Sequence, residues 1–237
     1  MTRIDEAAFV RVQYETEDRL RARKSIYDRA EGDDPREVVF AAVAEVNPRG
    51  VLEVGGGEGE LAERILQELD AELVAIDQSG RMVEIQRRKG IDARVADVQD
   101  LPFADDTFDV AIAAWMLYHA SDLDVALAEL ARVIRRGGRL VASTNALDHL
   151  QELWDLARRA SSLGRFTFHS ENGEHSLLRH FARVERRDTR GWVTMDEAAI
   201  RRYAASWGEL GSLVKLERRS EPLRARTHSA VFVAENP

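Results

Sequence analysis

The chain has 237 residues, a formal net charge of -8 and no cysteine. That length accommodates one large domain with a substantial core, and the missing cysteines exclude a disulfide framework, a thiolate metal site and a cysteine nucleophile. The acidic balance argues against a general nucleic-acid surface, which needs a basic excess to release counterions.

In chain order, Met1 to Leu20 mixes acids and arginines without an apolar core of signal-peptide length, and no later run is long enough to span a bilayer. A soluble cytoplasmic protein without a membrane partner is expected. Ile4 to Arg29 reads as a polar helix or helix pair, with Phe9, Val12, Leu20 and Ile26 scattered among charges. The Glu31-Gly32-Asp33-Asp34-Pro35 stretch breaks it. Asp34 then caps a new helix, with Pro35 in the first turn and Glu37 at the capping-box position, running to about Val46 before the Asn47-Pro48-Arg49-Gly50 turn. Residues 1–46 are expected to form an N-terminal helical cap and residues 47–237 the main domain.

From Val51 onward strands and helices alternate, which predicts an α/β protein with a mostly parallel sheet covered on both faces. Strands are expected at Val51 to Val54, Leu73 to Asp77, Ala93 to Ala96, Phe108 to Ala114 and Arg139 to Thr144. Helices are expected at Glu60 to Leu69, Gly80 to Lys89 and Leu123 to Ile134, the last presenting Leu123, Leu127, Leu130, Val133 and Ile134 on one face and stopping at Gly137-Gly138. A further helix spans Asp148 to Arg159. Beyond it, strands at Val184 to Asp188 and Ala230 to Ala234 flank a helix from Asp196 to Tyr203.

The most informative segment is Val51 to Gly59, where a β-branched run ends in an acid and breaks into glycines at every second position. Such glycines let a strand turn sharply into a helix while the backbone amides approach a ligand closely. Gly55, Gly57 and Gly59 alternate, and Glu60 stands where a dinucleotide fingerprint places its third glycine. No lysine follows the glycines, so a phosphate-binding loop is also absent. Glu53 and Glu58 would repel a pyrophosphate, whereas an acidic rim suits a ligand with hydroxyls and positive charge. The stretch Glu53-Val54-Gly55-Gly56-Gly57-Glu58-Gly59 resembles motif I of the class I S-adenosylmethionine-dependent methyltransferases. Asp97 to Asp109, with Leu101-Pro102-Phe103 and Asp106-Thr107-Phe108-Asp109, is similar to the type 11 methyltransferase domain. Gly137-Gly138-Arg139-Leu140 also fits that family, with Arg136 where proline is common. The resemblance covers Val51 to Thr144.

The resemblance implies a Rossmann-like class I methyltransferase fold, with a mostly parallel seven-stranded sheet whose last strand is antiparallel. It also implies S-adenosylmethionine as cofactor, S-adenosylhomocysteine as product, and methyl transfer to an oxygen, nitrogen or carbon of a small-molecule acceptor. The protein would be a monomer or homodimer, without a metal or a nucleic-acid partner. Asp77, at a strand end with Gln78 beside it, is placed to accept from a ribose diol, and Met82 to pack on the adenine. Asp97 would accept from the adenine amine while the Val98 amide donates to a ring nitrogen. Ala114 offers its carbonyl to the cofactor amine, and Glu53 acts there directly or through water. Methyl transfer depends mainly on alignment, with a base needed only for a protonated acceptor. His119, Tyr118 and His149 are the candidates at the acceptor side, and the His169, Glu171, Asn172 and His175 cluster reads as a solvated connection. Tyr14 and Arg23 would face the sulfonium and the cofactor carboxylate from a lid helix. An RNA or protein methyltransferase, a non-catalytic S-adenosylmethionine-binding protein and a nicotinamide dehydrogenase are the alternatives. The first lacks a basic appendage and an Asn-Pro-Pro-Tyr-like motif at Ala113-Ala114-Trp115-Met116, and the last conflicts with Glu60.

Overall fold

The fold is described from a computed structural model covering residues 17–28, 30–156, 166–206 and 221–237. In chain order it contains α1 (Glu17–Lys24) with a 3-10 turn at Ser25–Tyr27, β1 (Glu31–Gly32), α2 (Pro35–Ala44), β2 (Gly50–Val54), α3 (Glu60–Glu68), β3 (Glu72–Asp77), α4 (Gly80–Arg88) and β4 (Asp92–Val95). There follow β5 (Phe108–Ala114), a 3-10 turn at Leu117–His119, α5 (Leu123–Val133), β6 (Ile134–Asn145), α6 (Gln151–Leu156), α7 (Gly173–Leu177), β7 (Arg183–Met195), α8 (Glu197–Ala205) and β8 (Leu223–Glu235). The strands form one sheet in the order β1-β7-β8-β6-β5-β2-β3-β4. From β4 to β6 every neighbouring pair is parallel, while β8 runs antiparallel to both β6 and β7.

The parallel half follows from local chemistry. Val51, Leu52, Val54, Val110, Ala111 and Ile112 are buried on both faces of the sheet, the pattern of strands covered by helices on each side. Side chains cap the helix starts: Asp34 accepts from the Arg36 amide, Ser79 from Met82, Asp122 from Asp124 and Val125, and Asp196 from Ala199, each satisfying amides that the helix itself leaves free. One face packs Leu52, Ile76, Ala111 and Phe232 against Leu127 and Leu130 of α5 and Leu177 of α7. The other packs Val51, Ala75, Ile112 and Val231 against α2, α3 and α4. A third cluster joins Ile26, Leu153, Val193, Met195, Ile200, Tyr203 and Ala225 at the far end of β7 and β8.

Four expectations are corrected. The sheet has eight strands, because Glu31 and Gly32 pair with Trp192 and Gly191 at the β7 edge. The strands at the C-terminal end are far longer than expected, pairing continuously from Arg183↔Glu235 to Met195↔Leu223. Helix α2 buries Val39, Ala42 and Val43 in the same layer as α3 and α4, so the N-terminal cap is narrower than residues 1–46. Finally α5 ends at Val133, and β6 starts at Ile134 with a bulge opposite β5. There the Asn236 side chain donates to the Ala131 and Ile134 carbonyls at 3.1 and 2.7 Å, taking over the capping expected of the glycines. The parts of the expected helices before Glu17, at Arg29 and beyond Leu156 lie outside the described residues.

The β1 edge gives a test of the fold alone. A Cβ on Gly191 would lie 2.2 Å from the Glu31 carbonyl oxygen. Gly191→Ala is therefore expected to displace β1 at a cost of about 1–3 kcal/mol, lowering the melting temperature while leaving ligand binding at the opposite half of the sheet unchanged.

Candidate cofactor and acceptor site

Strand β2 delivers the glycine loop to the carboxyl end of the sheet, where the Gly55 amide donates to the Ile76 carbonyl at 2.8 Å and keeps the loop level with β3. The place where each side chain would sit is already taken: Met116 lies 2.8 Å from a Cβ on Gly55, the Glu53 carboxylate 2.4 Å from one on Gly56, and Ile91 and Gln86 2.8 and 2.9 Å from one on Gly59. Gly57 and Gly59 have φ of +59° and +77°, a region that L side chains enter at a cost. The loop is thus a backbone surface, cradled from below.

Two carboxylates meet beneath it. Glu53 is 2 % exposed, and its Oε2 is buried with no hydrogen-bond partner among the described residues. Burial, and then the charge of Asp77, pushes its carboxyl up to about 7. Asp77 is pushed up to about 6 by burial, against the Ser79 and Gly57 amides that stabilise its ionised form; the Ser79 amide donates to Oδ1 at 2.8 Å. Two desolvated carboxylates, offset only in part by the charge of Lys24, which is itself paired with Glu60, form an electrostatic demand for positive charge and hydroxyl donors.

The other expected cofactor positions distribute around this pair. Gln78 is exposed beside Asp77, and Met82 is fully buried. Val98 is buried and Asp97 partly exposed after β4, with Asp97 Oδ1 accepting from the Gln99 amide at 2.9 Å. Gln99 Oε1 in turn accepts from the Ser121 hydroxyl and the Asp122 amide at 2.9 and 2.6 Å, tying the segment after β4 to the segment after β5. Ala114 is half-buried at the end of β5. Trp115 follows with φ of +52° and donates from its indole to Asn145 at 3.0 Å. Tyr14 lies outside the described residues. Arg23 donates to the Ser206 carbonyl at 3.2 Å, whereas the cations of α1 that face the loop are Arg21, 2.9 Å from Glu58, and Lys24, 2.7 Å from Glu60.

On the acceptor side, Tyr118 stacks on Phe166 with centroids 4.8 Å apart and meets His119 edge-on at 4.5 Å. His149 is a correction. It is 3 % exposed, its Nε2 lies 2.8 Å from the Tyr27 hydroxyl, and its Nδ1 lies 3.1 Å from the backbone of His228. Burial lowers its pKa to about 4, so at neutral pH it is an uncharged ring committed to internal hydrogen bonds. Tyr27 was not singled out from the sequence, since its partner stands far along the chain; burial, with Tyr203 and Tyr118 nearby, pushes its phenol upward. The His169 cluster opens α7: the His169 amide donates to Asn172 Oδ1 at 2.8 Å, and Glu171 receives the Leu147 amide at 3.2 Å. No group of three or more metal-ligating side chains occurs among the described residues, and no described helix is long and apolar enough to cross a membrane.

The parallel sheet, with its acid-flanked glycine loop at the carboxyl ends of the strands, defines a Rossmann-like nucleotide-cofactor domain. Residues 52–142 match the family model described as a methyltransferase domain. A ubiquinone/menaquinone biosynthesis C-methyltransferase UbiE of Rhizobium meliloti is 37% identical over 116 residues, covering 43% of this chain and 45% of the relative. An O-methyltransferase cnsE of Penicillium expansum is 32% identical over 126 residues, covering 50% and 46%. The chain thus spans just under half the length of these curated relatives. Among solved structures, an S-adenosylmethionine-dependent methyltransferase of Thermotoga maritima superposes with a TM-score of 0.59 at 17% identity, covering 94% of this chain and 99% of the other. This is a likeness of fold.

Proposed function

We propose that the protein transfers a methyl group from S-adenosylmethionine to an oxygen, nitrogen or carbon of a small molecule. The observation that carries this reading is the desolvated Glu53–Asp77 pair at a glycine loop whose facing cations, Arg21 and Lys24, are already paired with Glu58 and Glu60. A ligand with an ammonium, a sulfonium and a ribose diol fits that donor set, and a pyrophosphate does not.

When bound, S-adenosylmethionine supplies a methyl group already activated on a sulfonium, so the protein's part is alignment and exclusion of water. Asp77 accepts from the ribose hydroxyls, and Asp97 with the Val98 amide holds the adenine edge. Glu53 faces the amine end, together with the Ala114 carbonyl. Tyr118 and Phe166 present an aromatic wall to a planar acceptor, in keeping with the quinone and O-methylation names of the relatives. His119 beside them is the acceptor-side group for a proton. The cap we assign is α1, held over the loop by the Arg21 and Lys24 contacts to Glu58 and Glu60.

Incubating the protein with methyl-labelled S-adenosylmethionine and a size-fractionated cell extract tests this reading. Label is expected in the small-molecule fraction; label confined to RNA or protein would contradict it. The cap has its own test. Arg21 is 61 % exposed and Glu58 only 11 %, and Lys24 stays 3.8 Å from Glu58 when Arg21 is removed, so Arg21→Ala is expected to cost about 1 kcal/mol and to lower the melting temperature by roughly 2–4 °C. Stopped-flow release of S-adenosylhomocysteine should accelerate a few-fold, and an unchanged release rate would remove α1 from the cap.

A further inference from the structure

Gln86 is a polar residue of α4 that the binding roles above leave without a task. It is 0 % exposed. Its Nε2 donates to the Gly57 carbonyl at 2.8 Å, its Cγ occupies the place of a side chain on Gly59, and its Oε1 is buried with no hydrogen-bond partner among the described residues. A helix face packed on a sheet does not need an amide here; Met82 and Val83 fill the same helix with apolar groups. An amide with one oxygen unsatisfied is an unfavourable way to fill a core, so the bond it makes carries the reason for its presence.

That bond completes a clamp on one peptide unit after another. The Gly57 amide points to the Asp77 carboxylate, while the Gly57 carbonyl is held by Gln86 from the opposite side. Gly57 has a left-handed backbone with φ of +59°, and a glycine is free to leave that conformation. Anchoring its carbonyl fixes the orientation of the peptide that follows. We propose that Gln86 is a positioning residue that holds the glycine loop in its cofactor-binding conformation before the cofactor arrives, through the Nε2 bond to the Gly57 carbonyl. A preorganised loop gains affinity because ordering it no longer opposes binding. The inference rests on the proposed cofactor.

The test is Gln86→Met, which keeps the length and the buried volume and removes both the donor and the unsatisfied oxygen, with Gln86→Leu as a second variant that also fills the buried site with apolar atoms and has no donor. Calorimetric titration with S-adenosylhomocysteine and thermal melting are measured on all three proteins at pH 8. Expected is binding at least tenfold weaker in Gln86→Met, with a melting temperature equal to or above wild type, and an S-adenosylmethionine KM raised more than kcat is lowered. Gln86→Leu should also bind at least tenfold more weakly while remaining folded. If Gln86→Met does not fold, Gln86→Leu alone decides by the same affinity criterion. Affinity within twofold of wild type in a folded variant would overturn the proposal. So would a loss of affinity that only parallels a fall in melting temperature in both variants, since that is the signature of a plain packing residue. A wild-type protein that binds neither S-adenosylmethionine nor its product overturns the cofactor reading itself, and is distinguished by needing no variant.

Discussion

Asp77→Asn is expected to weaken S-adenosylhomocysteine binding about a hundredfold at pH 8 while leaving the melting temperature unchanged or a few degrees higher. The two halves of this result have separate causes. Charged hydrogen bonds to a ligand contribute about 1.5–3 kcal/mol each, and a carboxylate accepting from both ribose hydroxyls provides two of them, which an amide cannot reproduce. In the free protein the same carboxylate is costly. Burial pushes its pKa from 3.8 to about 6, so keeping it ionised at pH 8 costs about 3 kcal/mol by linkage. The asparagine still accepts from Ser79 and loses the Gly57 amide, returning part of that gain. Paired titration and melting experiments check the prediction. Binding within threefold of wild type would remove Asp77 from the site, and a large fall in stability would make it a structural acid.

The second large effect is on pH. Glu53 is pushed up from 4.5 to about 7, by burial first and Asp77 second. A carboxyl with its folded pKa raised stabilises the fold most when protonated. Its contribution is fully present below the unfolded value near 4.5 and is lost as pH rises through about 7. Asp77 acts in the same sense across roughly 4 to 6. A cationic ligand reverses the preference, because it binds the ionised pair. Affinity for S-adenosylmethionine should therefore rise about tenfold between pH 6 and pH 8 if only ionised Glu53 binds. Over the same interval the ligand-free melting temperature should receive a falling contribution from this site. Glu53→Gln should flatten the tenfold rise, and a wild-type affinity that is flat or falls over this range would contradict the assignment of Glu53 to the amine end.

The parallel half of the fold was legible in the sequence because its signals are local. Asp34, Ser79 and Asp122 cap the helices from adjacent positions, and Val51 to Val54 and Phe108 to Ala114 are short apolar runs between turn residues. The long antiparallel pair was hidden for a physical reason. Inward positions on β7 include Thr189 and Gly191, while the outward ones carry Arg190 and Trp192. Alternation of apolar and polar residues therefore does not mark Arg183 to Met195 as one strand. Strand β1, with two paired residues, has no periodicity to read.

The site divides in the same way. Glu53, Asp77 and Asp97 could be placed because strand ends in an open parallel sheet converge on one edge. His149 follows β6 at that edge, yet its ring turns inward to Tyr27, a direction set by packing between segments 122 residues apart. Gln86 looked like an ordinary helix position because its partner is a loop carbonyl 29 residues earlier. Arg21 and Lys24, rather than Arg23, face the glycine loop because the helix phase of α1 is set by Leu20, whose Cδ2 lies 3.3 Å from the place of a Gly57 side chain.

Calorimetric titration of the unmodified protein with S-adenosylhomocysteine, run beside NADH under the same conditions at pH 8, bears most directly on the central claim. Saturable binding of S-adenosylhomocysteine with no heat from NADH is the predicted result. Binding of NADH, or of neither ligand, would contradict a methyl-donor site at the Glu53–Asp77 pair.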